Sequence, residues 1–174
     1  TGMVGQRFVT LLQEHPWFDL AVLAASESSA GKTYQSAVAG RWAFPWPVPE
    51  KAAEMTVYDA ADVNAVASQC DFVFCAVNMD KAATRALEER YAKAETPVVS
   101  NNSACRAVSD VPMLIPEINA AHAPIIAAQC KRLGTKRGFV AVKPNCSIQS
   151  YVPALTPLRD FGIKAVSVCT YQAI

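Results

Sequence analysis

Short apolar runs alternate with helix-patterned segments along the chain, and this alternation leaves little choice of fold. Residues 20–25, 55–58, 71–77, 96–100, 138–142 and 163–171 are each short, rich in apolar or β-branched residues and bounded by turn formers. They read as strands, most of them buried on both faces. Between them lie helical patterns. Residues 3–14 place Val4, Phe8, Leu11 and Leu12 on one face, and Pro16 stops that helix. Residues 62–68 form a short helix. Asp80 caps a longer one running to Ala94, with Leu87 and Tyr91 paired at i, i+4. Asn119 is expected to cap a helix reaching Arg132, with Pro124 in its first turn. Residues 111–118 read as extended, and residues 41–49 (RWAFPWPVP) are too proline-rich for regular structure. Strands alternating with helices predict an α/β fold: a Rossmann-like parallel sheet with helices on both faces.

Bulk numbers narrow the class. The chain has 174 residues, 52% of them hydrophobic, with a formal charge of +1. That suits one ordinary globular core and argues against a disordered or nucleic-acid-binding chain. No apolar stretch is long enough for a bilayer span and no secretory signal opens the sequence, so no membrane association is expected. Six cysteines without a CxxC pair, and only two histidines, give no zinc pattern. Scattered free thiols suit a reducing, cytoplasmic setting. The chain opens on TGMVG with no strand before it and stops at a strand-like run. An internal fragment of a longer enzyme is expected, one whose sheet lacks its first strand.

Cys146 is the strongest chemical candidate. It follows the apolar run 138–142 in Lys143-Pro144-Asn145-Cys146-Ser147, where a strand passes into a helix kinked by Pro153 and Pro157. Unpaired N–H groups and the positive end of the helix dipole stabilise a thiolate there and can hold an oxyanion. The other five cysteines serve as controls. Cys75 and Cys169 lie in strand-like runs, Cys70 and Cys130 near helix ends, and Cys105 in a loop. Packing as a small hydrophobe is the ordinary fate of a free cysteine.

Thr1-Gly2-Met3-Val4-Gly5 before a helix reads as the tail of a glycine loop that seats a pyrophosphate, or as a plain N-cap. Residues 25–32 (ASESSAGK) follow the second strand, where the ribose of a dinucleotide is read. Ser26, Ser28, Ser29 and Lys32 suit a 2′-phosphate, which favours NADP, although Glu27 works against it and a solvated serine loop is the alternative. Residues 101–106 (NNSACR) also follow a strand, and Arg106 offers a two-pronged clamp for phosphate or carboxylate. Gln172 ends the last strand and can reach a substrate. His15 and His122 are assigned no catalytic role.

Taken together, TGMVGQRFVTLL, AASESSAGK, VVSNNSACR, LIPEIN, KPNCSIQ and VSVCTYQA closely resemble the aspartate-semialdehyde dehydrogenase family, most of all its archaeal and fungal branch. They span the chain in the family's order. The resemblance implies NADPH-dependent conversion of L-4-aspartyl phosphate to L-aspartate 4-semialdehyde with release of phosphate, serving lysine, methionine and threonine synthesis. It implies that Cys146 is the nucleophile forming an acyl-thioester, that Asn145 beside it helps hold the phosphate or orient the site, and that Gln172 positions substrate. Arg106, with Asn102 near it, would bind the phosphate, and Thr1 to Val4 the pyrophosphate. Residues 1–144 would form the NADP-binding domain and 145–174 the start of an α+β catalytic and dimerisation domain, within a homodimer or homotetramer. The family's catalytic His and a second substrate-binding Arg would lie beyond residue 174, leaving the fragment inactive. One departure stands out: the family loop often carries an Arg where Ser28 stands. Rival readings on the same scaffold are N-acetyl-glutamyl-phosphate reductase, which typically has Gly where Asn145 stands, malonyl-CoA reductase, or a non-catalytic paralogue.

Overall fold

A computed structural model describes residues 1–171. Its elements run α1 (Met3–Leu12), β1 (Leu23–Ala25), α2 (Tyr34–Val38), α3 (Glu50–Ala53), β2 (Val57–Asp59), α4 (Val63–Ala67), β3 (Val73–Cys75), α5 (Lys81–Lys93), β4 (Val98–Ser100), α6 (Pro116–Asn119), α7 (Ile126–Leu133), β5 (Val140–Val142) and α8 (Cys146–Leu155). All strand pairings between them are parallel: β1 with β2 in one sheet, and β3, β4 and β5 in that order in another. β1 and β3 each keep one edge with no strand against it among the described residues.

The strand period sorts side chains onto two faces. Cys75, Val98, Val140 and Val142 pack with Leu87, Tyr91 and Ala92 of α5 and with Val63 and Val66 of α4. On the other face of β3, Phe74 stacks on Phe8 of α1 at 4.6 Å. Helices therefore cover both faces, as the alternation predicts. A second cluster gathers Val9, Ala25, Tyr34, Val38 and Val57 around β1 and β2.

Two local devices hold the larger sheet to its helices. Glu95, at φ +59°, collects the backbone N–H groups of Lys136, Arg137 and Gly138 on its carboxylate, and these bonds hold its carboxyl below the usual range. Gly138 itself lies so close to α5 that a Cβ would stand 1.7 Å from the Ala92 carbonyl oxygen. Gln129, fully buried, extends the β5 edge: its side-chain N–H donates to the Val140 carbonyl and its oxygen accepts from the Val140 N–H.

Several expectations hold and some change. Asp80 caps α5 by accepting from the Ala83 N–H at 2.9 Å, and Asp62 caps α4 in the same way. Strands are shorter than the apolar runs that contain them, because pairing ends where neighbouring strands end. Asn119 does not cap a following helix: its side chain turns back to accept from Ile115 N–H and donate to the Met113 carbonyl. Residues 120–125 form a 3-10 turn before α7 starts, since Pro124 supplies no N–H to an α-helical ladder. Residues 116–119 of the run expected to be extended are helical, with Pro116 at the first helical position. The expected last strand does not form among the described residues: residues 163–171 are exposed and belong to neither sheet. Cys169 is accordingly exposed rather than core.

Candidate cofactor and nucleophile site

β4 and β5 end side by side, and their exits supply one group of candidate residues. Lys143 N–H donates to the Ser100 carbonyl at 3.0 Å, which binds the start of the KPNCS turn to the start of the NNSACR loop. Arg106, half-buried, donates from Nε to the Lys143 carbonyl at 3.1 Å and from Nη2 to the Asn101 carbonyl at 3.5 Å. Both partners are neutral carbonyls, so the guanidinium charge is available to an anion. Lys143 is near enough to feel both Arg106 and Cys146. Its ammonium is disfavoured first by desolvation and then by Arg106, against an opposing pull from Cys146.

Cys146 is the first residue of α8 and is exposed. Asn145 is the N-cap, its side-chain oxygen accepting from the Ser147 N–H at 2.8 Å. The arrangement puts a solvent-facing sulfur at a capped helix start, with Lys143 and Arg106 close by. Three of the five control cysteines are set apart by burial, while Cys169 is exposed like Cys146. Burial, and then the Glu88 carboxyl, push Cys75 and Cys105 up to about 12, and burial also raises Cys70. Those thiols are protonated packing groups at neutral pH.

Asn102 is aimed inward rather than at the turn. Its Nδ2 donates to Glu88 Oε1 at 3.2 Å and to Cys75 Sγ at 3.4 Å, while its backbone N–H donates to Ser100 Oγ at 3.0 Å. Ser100 Oγ in turn donates to Glu88 Oε1. Glu88 is wholly buried, and its Oε2 lacks a full hydrogen bond, the nearby Cys75 and Cys105 thiols being weak donors. Glu88 thus anchors the loop that carries Arg106. Sequence reading singled out neither Glu88 nor Lys143. Glu88 looks like one more charged helix residue. Lys143 carried a signal, its place two residues before Asn145.

The second group surrounds α1. Gly2 is its N-cap with no side chain closing it, and Met3 and Val4 are exposed. A Cβ on Gly2 would meet nothing within 4 Å, so the start of α1 is open on that side. Such a start fits a pyrophosphate. Buried Gln6 fixes the loop, donating to the Thr1 carbonyl at 2.9 Å and the Arg41 carbonyl at 3.0 Å. After β1, a 3-10 turn carries Ser26 and Ser28, their hydroxyl oxygens 3.0 Å apart, and Lys32 Nζ donates to the Ser28 carbonyl at 2.8 Å. Ser29 is buried rather than displayed. Gln172 lies outside the described residues. Among the described residues no cluster of His, Cys, Asp and Glu could hold a metal, and no helix is long and apolar enough to cross a membrane.

A parallel sheet with helices on both faces, an open glycine-led helix start and a hydroxyl-bearing turn after the next strand together define a dinucleotide-binding α/β domain. Residues 1–125 match the family model described as semialdehyde dehydrogenase, NAD binding domain, and the chain belongs to that family. Over its full length it is 43% identical to an aspartate-semialdehyde dehydrogenase of Archaeoglobus fulgidus, covering 48% of that protein. It is 39% identical to that of Saccharomyces cerevisiae, again covering 48%. The crystal structure of aspartate semialdehyde dehydrogenase with NADP from Candida albicans superposes with a TM-score of 0.76 at 34% identity, over 92% of this chain and 45% of that one. The chain therefore spans about half the length of the relatives it matches.

Proposed function

We propose that this chain is the nucleotide-binding part and nucleophile-bearing turn of an NADP-dependent aspartate-semialdehyde dehydrogenase. The observation that carries the reading is Cys146, exposed at the capped start of α8 with Arg106 tied to the Lys143 carbonyl beside it. The family membership and the NADP-bound relative support it.

The chemistry follows from these groups. The Cys146 thiolate attacks the acyl carbon of L-4-aspartyl phosphate. The carbon–oxygen bond to phosphate breaks, its electron pair leaving with the phosphate, and a thioester forms on the sulfur. Arg106 and Lys143 offset the charge of the departing phosphate. The N–H groups at the start of α8 hold the oxyanion of each tetrahedral state. NADPH, when bound, supplies the hydride that reaches the thioester carbon. Collapse of that adduct releases L-aspartate 4-semialdehyde and returns the thiolate. Splitting the reduction through a covalent intermediate replaces one hard step with two easier ones. Thr1 to Val4 seat the pyrophosphate on α1, Ser26, Ser28 and Lys32 lie where the ribose is read, and Asn102 holds the loop of Arg106. Gln172 is assigned to substrate positioning. Residues 145–171 contribute no member to either buried cluster, which supports a domain boundary at 144/145.

Serine at Cys146 in the full-length protein tests the reading. Phosphate-dependent reduction of NADP by aspartate semialdehyde is expected to fall by at least about a thousandfold, the scale of losing an activated nucleophile. An unchanged rate would remove the assignment.

A further inference from the structure

The Ser26–Lys32 turn, by itself, is a poor receptor for a phosphate dianion. It holds one anion, Glu27, and one cation, Lys32, so its net charge is near zero. Ser28 occupies the place where a cation is expected, and Ser29 is turned inward.

We propose that Arg41 is the residue that recognises the 2′-phosphate of the bound dinucleotide and sets the preference for NADP over NAD; this rests on the cofactor reading above. Arg41 lies in the proline-rich excursion, and its side chain reaches back to the serine turn: Nη2 stands 3.4 Å from Ser29 Oγ. Nε and Nη2 also donate to the Ala37 carbonyl, at 3.0 and 2.6 Å, which fixes the plane of the guanidinium. Nη1 has no hydrogen-bond partner among the described residues, and Arg41 enters none of the salt bridges found there. Its charge is thus oriented but unspent.

The backbone of Arg41 is equally well placed. Buried Gln6 holds the Arg41 carbonyl and, with the same nitrogen, the Thr1 carbonyl, while its oxygen accepts from Ala43 N–H at 2.8 Å. One side chain therefore fixes Arg41 relative to the glycine-led start of α1. From that anchor the guanidinium extends to the serine turn. Arg41 spans the two arms between which the adenosine ribose of a dinucleotide lies. A planar, permanently charged fork suits a phosphate there better than the flexible Lys32, whose ammonium already donates to the Ser28 carbonyl.

The alternative role for Arg41 is to cap α2 through Ala37, which would be indifferent to the 2′ substituent. Equilibrium binding of 2′,5′-ADP and of 5′-ADP to the full-length protein separates the two. Arg41→Gln keeps a side-chain N–H for Ala37 and removes the charge. It should weaken 2′,5′-ADP by about tenfold or more and 5′-ADP by less than about twofold. Arg41→Lys should fall between Gln and the parent, and it serves in place of Gln if that variant melts early. Equal losses for both nucleotides, or no loss for either, would overturn the proposal. If the parent protein binds neither nucleotide, the cofactor reading fails and the proposal with it; if it binds both and Arg41→Gln leaves their ratio intact, only the proposal fails.

Discussion

The chain divides into a part that closes its own core and a part that does not. Up to Val142, strands and helices bury a continuous cluster in which Ala92, Val98 and Cys105 are fully inaccessible. From Cys146 to Tyr171 no residue belongs to a buried cluster, and Phe161 and Tyr171 are 86% and 97% exposed. Cys146, the proposed nucleophile, sits at the seam. The rigid half presents Cys146 at the end of β5, and the open half offers apolar surface that substrate-binding structure can cover. A site at such a seam inherits its precision from one side and its closure from the other.

Substitutions can break that contrast. Gly138→Ala drives a Cβ into the Ala92 carbonyl, and α5 and β5 cannot both keep their places. A loss of at least about 3 kcal/mol is expected in thermal or denaturant melting. Gly162→Ala, at φ +76° in the open half with nothing within 4 Å, should cost only about 1 kcal/mol. Equal losses would deny that the two halves differ.

Glu88→Leu leaves the Ser100 hydroxyl and the Asn102 amide without their buried acceptor and should cost about 2–3 kcal/mol, whereas Glu88→Gln keeps that acceptor and should cost under about 1 kcal/mol. Chemical denaturation of the two variants checks this. Tyr34→Phe should go the other way. Its buried hydroxyl has no hydrogen-bond partner among the described residues, so removing it should raise stability by up to about 1 kcal/mol.

Alkaline pH sharpens the contrast further. Cys75 and Cys105 titrate near 9.0 when unfolded and at about 12 in the fold. Above pH 9 the unfolded chain binds fewer protons than the native one, so stability is full below that pH and declines toward pH 12. Buried Tyr34, also raised to about 12, adds to the same slope at its upper end. Cys75→Ala should flatten the decline in melting temperature between pH 9 and 11.

Much of this was legible in the sequence because its causes are local. Five of the six apolar runs of strand length, the Asp80 cap and the turn before Cys146 each act through neighbours in the chain, and each is found. The parallel sheet was legible because alternating strands and helices leave few other topologies. What escaped depends on distant residues. Glu88 meets Ser100 and Asn102 only when α5 lies on β4, and Arg41 meets the serine turn only after the proline-rich excursion folds back. Residues 163–171 look like a strand in composition, but among the described residues they join neither sheet, and composition does not say which strand a segment lies beside.

Covalent trapping on Cys146 tests the central claim most directly. The full-length protein is incubated with L-4-aspartyl phosphate without NADPH, quenched in acid and mapped by peptide mass spectrometry. An aspartyl adduct on Cys146, and on none of the other five cysteines, is the expected result. An adduct on another cysteine, or turnover with no adduct on Cys146, would contradict it.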